Sequence, residues 1–194
     1  MEDRLKKQMD FIMEADKMKN IGRQTYISDA SRKENDAEHS WSLAIMCMIM
    51  AEYANEKIDV LRTIEMVLVH DLIEIDAGDT YAYDSAANKT KRERELAAAE
   101  RIFHILPEDQ AEFVRGLWDE FEEGKTAESR FANTLDKVQP LTLNHITNGI
   151  SWREHNVAAA QVLDRNKRTA KGSEVLWDYC KKIIDENIEN GNLK

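Results

Sequence analysis

Apolar residues recur at three- and four-residue intervals along most of the chain, the spacing that lines one face of an α-helix. Leu5, Met9, Ile12 and Met13 mark such a stripe within residues 2–18. Asn20-Ile21-Gly22 ends it, with Gly22 suited to a left-handed cap. Residues 23–35 are polar and aperiodic and read as a loop carrying Arg23, Arg32 and Lys33. A second helix begins near Asn35 or Asp36, either of which can accept from first-turn amides, and runs to about Ala54. A third spans about 59–74. Both are apolar nearly all round, through Trp41, Ile45, Met48 and Ile49 in one and Leu61, Val67, Leu68 and Ile73 in the other. That pattern places them at the centre of the fold.

The remainder continues in the same way. Residues 80–90, with Ser85 and Asn88, read as a loop, and a charged helix follows over about 89–106. The alternating charges of KTKRER at 89–94 suit a solvated helix face. Pro107 starts another helix, with Glu108 and Asp109 in its first turn and Gly124 as its stop. Further helices are expected at about 126–147, 154–165 and 173–189. No β-alternation, internal repeat or linker interrupts them, so the expectation is one all-α domain over residues 1–194.

Composition narrows the function classes. With 7 Gly and 2 Pro, the chain lacks the turns of an all-β protein. Lys and Arg number 27 against 37 Asp and Glu, a net charge of −10. A nucleic-acid partner needs a basic stripe, and none of that size is present. A small phosphate ester needs only one well-placed Arg. MEDRLKKQMDF lacks the apolar core of a signal peptide, and no run of about 18 apolar residues exists to span a membrane. Cys47 and Cys180 lie in apolar-periodic stretches and make no disulfide framework, so a cytoplasmic setting is expected.

His39, His70 and Asp71 interrupt the two apolar helices. A buried ionised Asp is costly unless paired or bound to a metal. The short connection through 55–58 makes the helices antiparallel, which brings His39 towards His70 and Asp71. Asp136, in FANTLDKVQPL, is the candidate fourth ligand, and Pro140 removes the usual helical donor to its carbonyl. Two imidazoles and two carboxylates suit Mn²⁺, Fe²⁺, Co²⁺ or Zn²⁺. Glu74 lies one turn beyond the His-Asp pair, and Asp79 follows Gly78. A carboxylate beside a metal-bound water is the equipment of general acid/base catalysis. The bland alternatives are a satisfied core histidine, a solvated helix end for Glu74 and a turn-former for Asp79. Nothing selects Asp76, and Arg23 reads as either a phosphate ligand or a surface charge.

Together DAEHSW, LVHDLIEIDAGD and FANTLDKVQ resemble the H…HD…D signature of the HD-domain metal-dependent phosphohydrolases. More narrowly, the chain is similar to the 5′-deoxynucleotidase branch, where a Glu and then Gly-Asp follow the pair, as Glu74 and Gly78-Asp79 do here. The resemblance spans roughly residues 5–180. It implies an all-α bundle with a single divalent ion (Mn, Co, Fe, Zn or Mg) between central helices, held by His39, His70, Asp71 and Asp136. It implies Glu74 and Asp79 as catalytic residues and Arg23 as the 5′-phosphate ligand, with Arg32 its rival. Gln24 stands where the branch has a Trp that disfavours a ribose 2′-hydroxyl. The implied reaction is hydrolysis of (deoxy)nucleoside 5′-monophosphates to nucleoside and phosphate. The alternatives are an HD hydrolase of nucleoside triphosphates or alarmones and a metal-stabilised, non-catalytic helical module. Relatives in this branch are commonly dimers, which implies a homodimer here, and Trp118 or Trp177 offers an aromatic contact for self-association.

Overall fold

A computed structural model describes residues 2–79 and 90–194. Nearly all of the expected loop at 80–90, including Ser85 and Asn88, lies outside the described residues. The described helices are α1 (Glu2–Ala15), α2 (Asp36–Met50), α3 (Val60–Val69), α4 (Glu74–Ala77) and α5 (Lys91–Phe103). They continue with α6 (Glu108–Glu123), α7 (Ala127–Ile146), α8 (Ile150–Glu154), α9 (Ala159–Asn166) and α10 (Glu174–Glu189). The all-α class is therefore as expected, with one small addition. No helix among the described residues is long and apolar enough to cross a membrane.

The addition is a hairpin of β1 (Gly22–Tyr26) and β2 (Lys33–Asn35), where the sequence suggested a loop. Its strands have five and three residues and an irregular register, too little for alternation to register in the sequence. Gly22 opens the first strand and is not a left-handed cap; the positive φ of the described glycines falls at Gly78, Gly124, Gly149 and Gly191. The hairpin packs against α7 and α8 and delivers Arg23 and Glu34 to the interior.

Two apolar cores hold the helices. One joins Leu43 and Cys47 of α2, Met66 and Val67 of α3, Leu135 of α7 and Ile184 of α10. The other gathers Met18, Leu72, Ala98, Ile102, Phe103 and Trp118. Trp118 is fully buried there and offers no surface for self-association, while Trp177 packs against the first core. Both cysteines are free, and burial pushes each thiol up to about 12, which leaves them inert.

Two expected burials are corrected. Leu5, Met9, Ile12 and Met13 of α1 are exposed; the buried residues of that segment are Glu14 and Met18. Helix α2 is central on one side only, since Trp41, Ile45, Met48 and Ile49 face outward, with Trp41 65% exposed. Leu61 and Leu68 of α3 are exposed as well. Periodicity shows where apolar residues lie but not how many faces the neighbouring helices cover.

Candidate metal centre and its cavity

Local sequence sets the three approach directions. Asn35 caps α2 in a reciprocal box: its side chain accepts from the Glu38 amide at 2.9 Å, and Glu38 accepts from the Asn35 amide at 3.2 Å. One turn later His39 is fully buried. The third apolar segment is not one helix to residue 74. It breaks after Val69 into tight turns in which Leu72 bonds back to Val69 and Glu74 to Asp71, before α4 resumes. His70 and Asp71 sit in that break, and Asp136 comes from the middle of α7.

These residues converge. His39, His70 and Asp136 present ligand atoms that all lie within 4.8 Å of one another. His39 Nε2 is 3.2 Å from Asp136 Oδ1, and His70 Nε2 is 3.8 Å from the same oxygen. Asp71 Oδ2 lies 3.1 Å from His70 Nε2 and 3.9 Å from His39 Nε2. The antiparallel pairing inferred from the short connection thus brings the first histidine to the second, with ring centroids 5.5 Å apart.

The outer hydrogen bonds decide how the rings face. Gln139 lies one turn beyond Asp136, and its amide nitrogen donates to buried Glu34 at 2.7 Å. Its amide oxygen therefore faces His39 Nδ1, at 2.9 Å, which must be the protonated nitrogen. Burial and the nearby Arg23 charge depress the His39 pKa, so the ring is neutral and Nε2 carries a lone pair. That lone pair faces a carboxylate oxygen of Asp136. Two acceptors facing each other at 3.2 Å need a cation. His70 repeats the logic: Nδ1 donates to the Val67 carbonyl at 2.9 Å, and Nε2 is buried with no hydrogen-bond partner among the described residues. Burial lowers the His70 pKa, but Asp71 and Asp136 outweigh it and push it up to about 10. The acids demand positive charge at this point, and a divalent ion meets that demand with both rings neutral. The donor set fits such an ion.

Arg23 braces the cluster. Its Nη1 donates to Asp36 at 3.0 Å and to Asp71 at 2.8 Å, and its Nε is 3.7 Å from Glu34. Burial opposes the charge on Arg23, but Asp71, Asp79, Asp36 and Asp136 hold its pKa above the ordinary value. Burial likewise opposes ionisation of Asp71 and Asp136, yet the imidazoles keep both carboxyls below the usual range, with Arg23 assisting Asp71.

A cavity of about 220 Å³ opens onto this centre. Arg23, His70, Asp71, Glu74, Asp79 and Asp136 line one part of it. Burial, then the Asp71 charge, pushes the buried Glu74 carboxyl up to about 9, and burial also raises Asp79. Lys91, Lys137 and Arg165 line the cavity too. Lys91 belongs to the KTKRER run, so that segment is not only a solvated face. Arg32 lies outside the cavity, bound at the surface to Glu38 by two hydrogen bonds of 2.6 and 2.8 Å. Sequence reasoning missed Glu34, Gln139, Lys137 and Arg165. The one available signal was Gln139, three residues after Asp136 and so on the same helix face.

The sequence pattern of the HD domain family matches residues 15–177. The chain belongs to that family. It is 30% identical over 132 residues to a 5′-deoxynucleotidase HDDC2 from Xenopus laevis, covering 68% of this chain and 64% of the relative. The 5′-deoxynucleotidase HDDC2 of Homo sapiens is 27% identical over 132 residues, covering 68% and 63%. The match thus spans under two thirds of the length of these curated relatives. Among solved structures, a predicted metal-dependent phosphohydrolase from Magnetospirillum magnetotacticum MS-1 superposes with a TM-score of 0.94 at 46% identity, over 99% of this chain and 96% of that one. A protein from Pyrococcus furiosus, at 23% identity and a TM-score of 0.62, shares the fold.

Proposed function

We propose that this HD-domain chain is a divalent-metal phosphomonoesterase that hydrolyses (deoxy)nucleoside 5′-monophosphates. The observation that carries this reading is the convergence of His39, His70, Asp71 and Asp136 beside a cavity that also holds Glu74 and Asp79. A metal site with a purely structural role has no need of two further carboxyls, Glu74 buried and Asp79 half-buried, at an open cavity. The named similarity to 5′-deoxynucleotidases supports a nucleotide as substrate.

When bound, a divalent ion would neutralise charge on the phosphoryl oxygens and lower the pKa of a water. His39, His70, Asp71 and Asp136 would hold it. In the hydrolysis, the water oxygen bonds to phosphorus, the bond to the 5′-oxygen breaks, and one proton passes from the water side to the leaving oxygen. Glu74, protonated at neutral pH in its buried setting, is the proton donor to the 5′-oxygen. Asp79 orients the attacking water or a sugar hydroxyl. Arg23 lines the cavity with Nη1 committed to Asp36 and Asp71, so its contact with phosphate is a secondary one.

The decisive test is phosphate release from deoxy- and ribonucleoside mono-, di- and triphosphates with Mn²⁺, Co²⁺, Mg²⁺ and Zn²⁺. Metal-stimulated turnover of monophosphates above the other classes is expected. Release from triphosphates alone would transfer the assignment to a triphosphohydrolase.

We also propose that two copies pair through the outer face of α2. Trp41, Ile45, Met48 and Ile49 form an exposed apolar stripe there, and exposed apolar patches mark interaction sites. Two-fold pairing of one such stripe covers it on both copies at once.

A further inference from the structure

Arg23 alone is a weak anion receptor. Its Nη1 is shared by two carboxylates and its Nε faces a third, so its charge is largely committed to acids of this chain. The cavity wall contributed by α7 and α9 differs. Lys137 follows Asp136 directly; its ammonium donates to the Asn133 carbonyl at 2.8 Å and to the Asn133 side-chain oxygen at 3.4 Å and stands 4.0 Å from Asp136 Oδ2, so one of its three protons lies outside these hydrogen bonds. Arg165, near the C-terminal end of α9, lines the same cavity and makes no hydrogen bond or ion pair among the described residues. Its charge nonetheless acts on both Asp79 and Lys137, which places it at the site. Lys91, from the first turn of α5, completes the set, 3.3 Å from Glu95.

We propose that Lys137 and Arg165, with Lys91 beside them, form an anion-binding wall of the cavity that takes the non-bridging oxygens of the phosphoryl group. Arg23 on the hairpin then serves mainly as a positioning residue that holds Asp71. The chemistry favours this division. A phosphate dianion is best held by donors that carry unspent charge, and a free guanidinium fork matches two of its oxygens. Arg165 is the cavity cation with its whole fork uncommitted among the described residues. A chain of net charge −10 that binds an anion must also concentrate its cations locally, and this wall does so. The inference rests on the phosphomonoesterase reading for its substrate, but the wall is a claim about anion binding and is testable without turnover.

The experiment is calorimetric titration of the metal-loaded protein with inorganic phosphate, with metal content matched across variants. Arg165→Met and Lys137→Met should each weaken phosphate binding by about tenfold, the scale of one lost charge-assisted hydrogen bond. Lys137→Arg should stay within about threefold of wild type, and Lys181→Met, on α10, should bind like wild type. In nucleotide assays the Arg165 change should raise KM more than it lowers kcat. Arg165 is exposed, so its removal leaves the fold intact even if Lys137→Met does not fold. Wild-type phosphate affinity in Arg165→Met and Lys137→Met, at equal metal content, overturns the wall while leaving any nucleotidase activity standing. A chain that hydrolyses no nucleotide, yet loses phosphate affinity in both variants, keeps the wall and overturns the substrate.

Discussion

His39 Nδ1 lies 2.9 Å from the amide oxygen of Gln139, a hundred residues further along the chain, and both side chains are buried. The Gln139 amide cannot turn over without facing its nitrogen to the histidine and its oxygen to Glu34. One hydrogen bond to Glu34 therefore fixes the tautomer of a metal-ligand candidate. Gln139→Leu removes that constraint while conserving size. The expected outcome is a metal affinity about 10–100-fold weaker, the range for outer partners of metal-bound histidines, with activity recovering at high metal concentration. Titration with Mn²⁺ or Co²⁺ checks it; an unchanged dissociation constant would remove the amide from the site.

His70→Ala deletes a ring whose Nε2 has no hydrogen-bond partner among the described residues. Bound metal per chain, measured by elemental analysis, should fall towards zero. Phosphate release should drop by about three orders of magnitude or more. Circular dichroism should still report a helical protein, because both apolar cores remain.

Glu74→Gln keeps the size of the side chain and abolishes its proton. We expect kcat to fall about 10²–10⁴-fold with metal content unchanged. The alkaline limb of the pH–rate profile should weaken or vanish, since the carboxyl responsible titrates at about 9. A variant that keeps both the rate and the limb would take Glu74 out of proton transfer.

The metal-free protein should lose stability as pH rises from about 4.5, the ordinary glutamate value, to about 10. Glu34 is raised by burial from 4.5 to about 7 and Glu74 from 4.5 to about 9. His70 is depressed by burial but raised overall by its acidic neighbours, from 6.5 to about 10. Each holds its proton more tightly folded than unfolded, so its contribution is complete below the ordinary value and drains away as pH passes the folded value. Calorimetry should show Tm falling across that window. The gain in Tm on adding metal should grow over the same range, because metal competes with the His70 proton. A flat profile would contradict these buried acids.

Trp41→Glu on the outer face of α2 should convert a species of twice 22.4 kDa into one of 22.4 kDa in light-scattering chromatography. Metal content and helicity should be unchanged, since His39 is on the opposite side of the helix. Wild type eluting as a monomer at all concentrations would end the pairing proposal.

The convergent cluster was legible because it is made of misfits. His39, His70 and Asp71 stand in stretches whose other residues are apolar, and burial makes such groups costly unless they share a partner. Asp136 was legible through the neighbouring apolar turn. The hairpin was not, because two strands of five and three residues carry too few alternations. Nor were Lys137 and Arg165, which look like any other surface cations in the sequence. Residues Leu5 to Met13 misled for the opposite reason: their spacing is helical, but no described element covers them.

The sequence by itself determined the helical class, most helix ends and which buried polar residues needed a shared partner, since these follow from local propensity, caps and the cost of burying polar groups. Only the tertiary structure decided which nitrogen of His39 faces the centre, which acids occupy Arg23, which cations reach the cavity and which apolar faces stay bare. Those outcomes depend on contacts between segments up to a hundred residues apart, and periodicity along one chain carries no information about the angle at which two helices meet.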